Sequence, residues 1–333
     1  MPKAGALRAV TNGSGGVASG APAIGWTCAI RSGIVRTALA AAACLAWPTA
    51  LSAQESDART DRLERQIDRV ATQTRAEEET ERAGLESLAP QPVSKLNFIV
   101  LLPVSWTNNA GYAEDDGETA VHATPSFEMR ASRTSPGLRL EARATIASDN
   151  YSRVEDNNLS FLRFRFEIGG VEPGPLNFVP YARYQPVVEF SDAHLGDYSK
   201  TKHDFSIGGV NSFKVGDAGG TVRLFVTRRE STDPNAERFQ LGGQVALEGP
   251  LAAASHWGWS ATQGLEARFF TGGTNDGRTD IYVSTNGTIS WRPTPESSWT
   301  FNALDVTVEW NRSDVADRDY FVVNAGSSIS FRF

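Results

Sequence analysis

From Lys95 to Phe333 apolar and polar side chains alternate in short runs, and Gly, Pro, Asp or Asn cuts each run off. A period of two means extended strands with one apolar and one polar face. The last run shows this most plainly. In YFVVNAGSSISFRF, Phe321, Val323, Ala325, Ile329, Phe331 and Phe333 share one parity, while Asn324, Gly326, Ser328, Ser330 and Arg332 share the other. Twelve such runs are predicted, at 95–106, 120–132, 138–146, 159–168, 176–190, 202–215, 221–228, 238–248, 256–270, 280–291, 299–310 and 320–333. Their separators alternate between long loops rich in carboxylates and amides and short Gly/Pro turns. The loops fall at 108–118, 148–158, 191–200, 229–237, 271–279 and 311–319, and the turns at 133–137, 169–175, 216–220, 249–255 and 292–298. An even number of strands, with loops at one end and tight turns at the other, is how an antiparallel sheet closes on itself.

A chain whose last strand carries Ile329, Phe331 and a final Phe333 resembles the closing strand of Gram-negative outer-membrane β-barrels. The resemblance covers roughly the last 240 residues and implies an all-β fold, a twelve-stranded antiparallel transmembrane barrel in the outer membrane. It also implies contact with outer-membrane lipid and lipopolysaccharide, and recognition of Phe331 and Phe333 by the barrel-assembly machinery. It leaves the solute unnamed. Aromatic residues fit the expectation of two interfacial belts on the lipid parity. Phe166, Phe178, Phe213, Trp257, Trp259, Trp291, Phe331 and Phe333 lie beside the turns, and Trp106, Phe190, Phe239, Phe269, Trp310 and Phe321 beside the loops.

Residues 31–53 carry Arg31 and Arg36, then an apolar run, then small residues before Gln54, so 1–53 is read as a long leader ending in a secretory signal peptide. Both cysteines, Cys28 and Cys44, fall inside it, which leaves no thiol for catalysis or metal binding after export. Residues 54–92 are dense in Glu, Asp and Arg, with Leu63, Ile67 and Val70 at helical spacing, and end in Ala89-Pro90-Gln91-Pro92. A short charged periplasmic helix with a Pro linker is expected there, serving as a tether, an aid to oligomerisation or a partial plug. Residues 93–333 form the barrel. The formal charge of −7 and pI near 5.3 argue against nucleic acid as a partner.

With the lipid parity assigned, the other parity lines the lumen. It places Arg139, Glu141 and Arg143 on one strand, Arg163, Arg165 and Glu167 on the next, and Arg183, Gln185 and Glu189 on the third, with Arg223 and Arg238 continuing the wall. Glu266, Asp305 and Glu309 are expected opposite, with Arg268 interrupting. Arg143, Arg163, Arg165, Arg183, Arg223, Glu266, Asp305 and Glu309 are therefore the candidate solute-binding residues. They either set a transverse field in a narrow water-filled pore or pair with one another and fill it. Some residues resist the pattern. Ile99 and Leu101 face the lumen, Asn211 and Gln263 face lipid, Trp299 and Phe301 fall on lumen parity, and Pro180 and Pro186 interrupt a strand. Bulges or a one-residue slip would reconcile them.

The function expected is passive, partly selective passage of a small anionic or dipolar solute, with no cofactor and the oligomeric state open. Two alternatives stand beside it, a hydrolase acting on lipid or lipopolysaccharide and a closed structural or adhesive barrel. The histidines are His122, His194, His203 and His256. His203-Asp204 near His194 is the one constellation at the mouth, and adjacent strand residues point to opposite faces. The histidines are read as solvated and non-catalytic.

Overall fold

The computed structural model describes residues 93–110, 118–153, 158–252, 255–294, 296–315 and 318–333. The leader and the charged segment with its expected helix lie outside the described residues. Thirteen strand segments follow one another as β1 (Val93–Thr107), β2 (Ala120–Ala123), β3 (Ser126–Ser135), β4 (Leu138–Tyr151), β5 (Leu159–Gly170), β6 (Val179–Phe190), β7 (Tyr198–Val215), β8 (Ala218–Ser231), β9 (Arg238–Pro250), β10 (Trp257–Phe270), β11 (Thr279–Trp291), β12 (Trp299–Ser313) and β13 (Tyr320–Arg332). β2 and β3 both bridge β1 and β4, so they share one position in the wall, broken at Thr124-Pro125 where proline supplies no N–H. The result is a closed antiparallel ring of twelve positions, as predicted.

Closure is made by β1 and β13, paired from Ile99↔Arg332 to Thr107↔Asn324. The seam extends one residue past the last strand, because Phe98 and Phe333 exchange backbone hydrogen bonds of 3.0 and 2.9 Å. The tight turns use the residues that sharp reversals demand. Pro136 and Gly137, at φ +80°, join β3 to β4, and Gly216, at φ +63°, helps join β7 to β8.

Parity holds around the ring. Phe164, Phe166 and Ile168 of β5 are exposed on the outer wall, while Arg163, Arg165 and Glu167 are buried inside. The exposed outer apolar side chains belong against lipid tails, and the inner polar ones do not.

The structure places each residue that resisted the pattern, and Asn211 stays on the outer parity of β7, half-buried and opposite Val222 of β8. Ala303 has no partner on either side, since Asn302 and Leu304 pair with Ser290 and Ile289 of β11, and Asn302 and Asp305 with Ser328 and Gly326 of β13. This bulge reverses parity below it, so Asn302 turns inward and is buried. Trp299 and Phe301 thereby rejoin the outer face, correcting their expected place in the lumen. Gln263 does stay outside, where its Oε1 accepts a 2.7 Å hydrogen bond from the Thr285 hydroxyl on the neighbouring strand. Pro180 and Pro186 both fall on the outer parity of β6, and the β5–β6 ladder skips Phe164 and Arg165 opposite Pro186. No slip occurs in β1, whose Ile99 and Leu101 are buried on the lumen side.

One row of the lower lumen alternates aromatic and glycine, running Tyr181, Gly208, Phe225, Gly242 across β6 to β9. Each ring lies over its neighbouring glycine. A Cβ at Gly208 would overlap the Leu224 carbonyl oxygen and come within 2.8 Å of the Tyr181 hydroxyl, and one at Gly242 would run into the Phe225 ring.

Candidate functional site

The strand register decides which charged side chains meet. Arg130 of β3 pairs with Arg143 of β4, and Arg143 with Arg165 of β5. Gln185 of β6 pairs with Asp204 of β7, Asp204 with Arg229 of β8, and Arg229 with Arg238 of β9. Arg130 lies midway along β3, whereas Arg238 is the first residue of β9 at the loop end. The row therefore climbs from mid-barrel to the outer rim, because a line across tilted strands gains height around a ring.

Carboxylates are threaded through these cations. Glu141 accepts from Arg130 at 2.9 Å, Arg139 at 2.5 Å and Arg143 at 2.6 Å. Glu128 lies 3.6 Å from Arg143 and 3.7 Å from Arg163, and accepts from the Thr145 hydroxyl at 3.2 Å. Arg165 donates to Gln185 at 2.8 Å, and Arg183 to Glu167 at 2.8 Å, with its guanidinium over the Tyr181 ring. Arg223 reaches the same ring from β8, its Cζ 5.4 Å from the centroid. Further up, Asp204 holds Arg229 through two 2.7 Å bonds, and Glu189 contacts Lys200 and Lys202.

The expected ladder is thus rearranged. Arg143 and Arg165 share a row with Arg130, whereas Arg163 sits one row above and Arg183 one row below. On the far side, Glu266 accepts from Arg268 at 2.8 Å, whose guanidinium lies 4.0 Å from the centroid of the Tyr282 ring. Asp305 accepts from Asn286 at 3.1 Å and from Thr288 at 3.0 Å, and Glu309 is fully buried on β12. The ring order places β10 and β12 across the lumen from β4 and β6, so arginines and these acids do face one another.

Sequence reasoning missed Glu128 and Arg130, which fall on the lumen parity beside the arginines of β4. It also missed a pair at the upper end of the lumen. His122 Nδ1 lies 2.7 Å from Asp149 Oδ1, its ring stacks on Tyr151 at 5.0 Å, and its Nε2 is buried without a hydrogen-bond partner among the described residues. His122 is therefore not the solvated histidine expected. The signal was there, because His122 and Asp149 both lie on lumen parity, but pairing residues 27 apart requires the register. His203 and Asp204 diverge as predicted, His203 to Tyr184 on the outer side and Asp204 to Arg229 inside.

A sealed ring of twelve antiparallel positions, apolar outside and charged inside, defines a transmembrane β-barrel of the Gram-negative outer membrane. No protein-family model and no curated protein matches the chain. Among solved structures it is similar to an outer-membrane channel from Pseudomonas putida F1, at 12% identity and TM-score 0.44 over 72% of this chain and 97% of that one. It is also similar to the KdgM porin in complex with disordered oligogalacturonate, at 9% identity and TM-score 0.37 over 71% and 99%. The translocator domain of the autotransporter NalP from Neisseria meningitidis is similar at 10% identity and TM-score 0.36 over 80% and 98%. Identities this low concern the fold and not the solute.

Proposed function

We propose that the protein is a passive outer-membrane channel whose lumen favours small anionic or dipolar solutes. The observation that carries this reading is the climbing row of guanidinium groups on β3, β4, β5, β8 and β9, opposed across the ring by Asp305 and Glu309. Cations on one wall and anions on the other orient a passing dipole, and a cluster denser in guanidinium lowers the energy of an anion beside it. Arg163 and Arg165 are the residues on which selectivity is placed, because they sit near mid-height where the wall is furthest from bulk water. Planar-bilayer reversal potentials in a salt gradient test this. The native barrel is expected to prefer anions, and Arg163→Ala with Arg165→Ala to move the reversal potential toward zero. An unchanged potential would take the arginines out of the mechanism.

A second reading, hydrolysis at the mouth, is favoured by the His122–Asp149 pair, in which a carboxylate orients an imidazole and leaves Nε2 to act as a base. It predicts ester turnover that disappears in His122→Gln. Conductance without turnover selects the channel.

A further inference from the structure

Lipid tails offer neither a donor nor an acceptor, so an amide on the outer wall between the aromatic belts costs free energy until another polar group meets it. Gln263 is such an amide. Trp259 and Phe269 share its face of β10, and the ten residue steps between them rise about 26 Å at a tilt of ~40°. Gln263 therefore stands about 10 Å above the lower belt, with its side chain exposed. The Thr285 hydroxyl occupies one lone pair of its carbonyl at 2.7 Å, and one N–H donates to the Gly264 carbonyl at 3.3 Å. One N–H and one lone pair of the amide are left without a partner among the described residues.

We propose that a second copy of this chain supplies the missing groups, in a twofold homodimer built on the outer faces of β9, β10 and β11. Lipid does not supply them, because its ester and phosphate oxygens lie at the level of the belts. A second copy does. Both copies are inserted with their loops on the same side, so a twofold axis relating them runs along the membrane normal and sets residues of equal height opposite each other. Gln263 then meets its own counterpart. An amide is self-complementary, so each free N–H donates to the other's free lone pair and all four hydrogen-bonding positions on both side chains are filled. Small neighbours let the two walls approach closely. Ala261 lies two residues below Gln263 on the same face, and Gly243 of β9 stands opposite Leu265, two above it.

This inference is independent of what the lumen carries, and its test involves no current. Sedimentation equilibrium of the full chain in detergent micelles is expected to show a dimer. Gln263→Leu, an ordinary lipid-facing residue, is expected to weaken that dimer at least tenfold, whereas Asn211→Leu, which removes a different outer amide, leaves it unchanged. With Cys28 and Cys44 replaced by Ser, oxidation of Ala261→Cys in phospholipid vesicles is expected to give a covalent dimer, and Phe164→Cys, across the ring on β5, none. A monomer with no disulfide at position 261 would mean that lipid alone covers the face. A trimer, or a dimer as strong in Gln263→Leu as in the native chain, would place the contact elsewhere. Either result overturns the inference. If Gln263→Leu fails to fold by heat-modified gel mobility, the disulfide alone decides.

Discussion

Arg143 stands directly across the β4–β5 ladder from Arg165, and both side chains are buried in the lumen. Like charges in that position repel and destabilise a sheet. Here Glu141, Glu128 and Gln185 offset the repulsion, so the cationic wall depends on its embedded acids.

Glu141 is the acid most heavily engaged, with three arginines within 2.9 Å. Glu141→Gln removes its charge while keeping its shape, and leaves Arg130 and Arg143 repelling each other. The barrel is expected to lose about 3 kcal/mol, in line with the cost of breaking a buried ion pair. Urea titration of the detergent-refolded protein, followed by heat-modified gel mobility, measures it.

Gly208 has no room for a side chain between the Leu224 carbonyl and the Tyr181 ring. Gly208→Ala is expected to cost about 1–3 kcal/mol, the usual range for overpacking. Gly287, around which an added Cβ meets nothing within 4 Å, supplies the control. Gly287→Ala should leave the same titration unchanged.

The bulge at Ala303 gives a sharper test of register. Deleting Ala303 restores an uninterrupted period of two and leaves Asn302 inward and Trp299 and Phe301 outward. The deletion is expected to retain the heat-modifiable folded band. Deleting Thr307 instead, inside the regular ladder, turns Asp305 toward lipid and Trp299 and Phe301 toward the lumen, and should abolish it.

Asp192, in the loop between β6 and β7, is half-buried, and its carboxyl is held below the usual carboxylate range chiefly by the backbone N–H of Gly196, with help from that of His194. A depressed carboxyl pKa means that the loop order it confers is complete above the ordinary value near ~4 and is lost as pH falls through the lowered one. Protection of the Gly196 amide from hydrogen exchange is expected to stay flat from neutral pH to about pH 5 and to fall below the ordinary carboxylate range. Asp192→Ala should abolish the protection at every pH.

Strand number and facing were legible in the sequence because lipid and water impose opposite demands on neighbouring residues, as Phe164 beside Arg163 and Arg165 shows. The bulge appeared only as a contradiction at Trp299 and Phe301, since alternation reports parity and not where it changes. Its location had to come from two ladders that both skip Ala303. The candidate site was half legible. Arg143 and Arg165 were placed on the right face of adjacent strands, but which arginine stands beside which depends on stagger, and stagger put Arg130 in the row and Arg163 out of it. His122 and Asp149 escaped notice for the same reason.

The backbone bonds between Phe98 and Phe333 tie the first strand to the last residue of the chain. Until that knot is made, the sheet has two raw margins of unpaired amides and carbonyls, each a template for a stranger's strand. Eleven of the twelve joints link strands close in sequence, but the twelfth, between β1 and β13, waits for β13. A product truncated before β13 is therefore a different hazard from a slightly weaker barrel, an open ribbon that polymerises edge to edge.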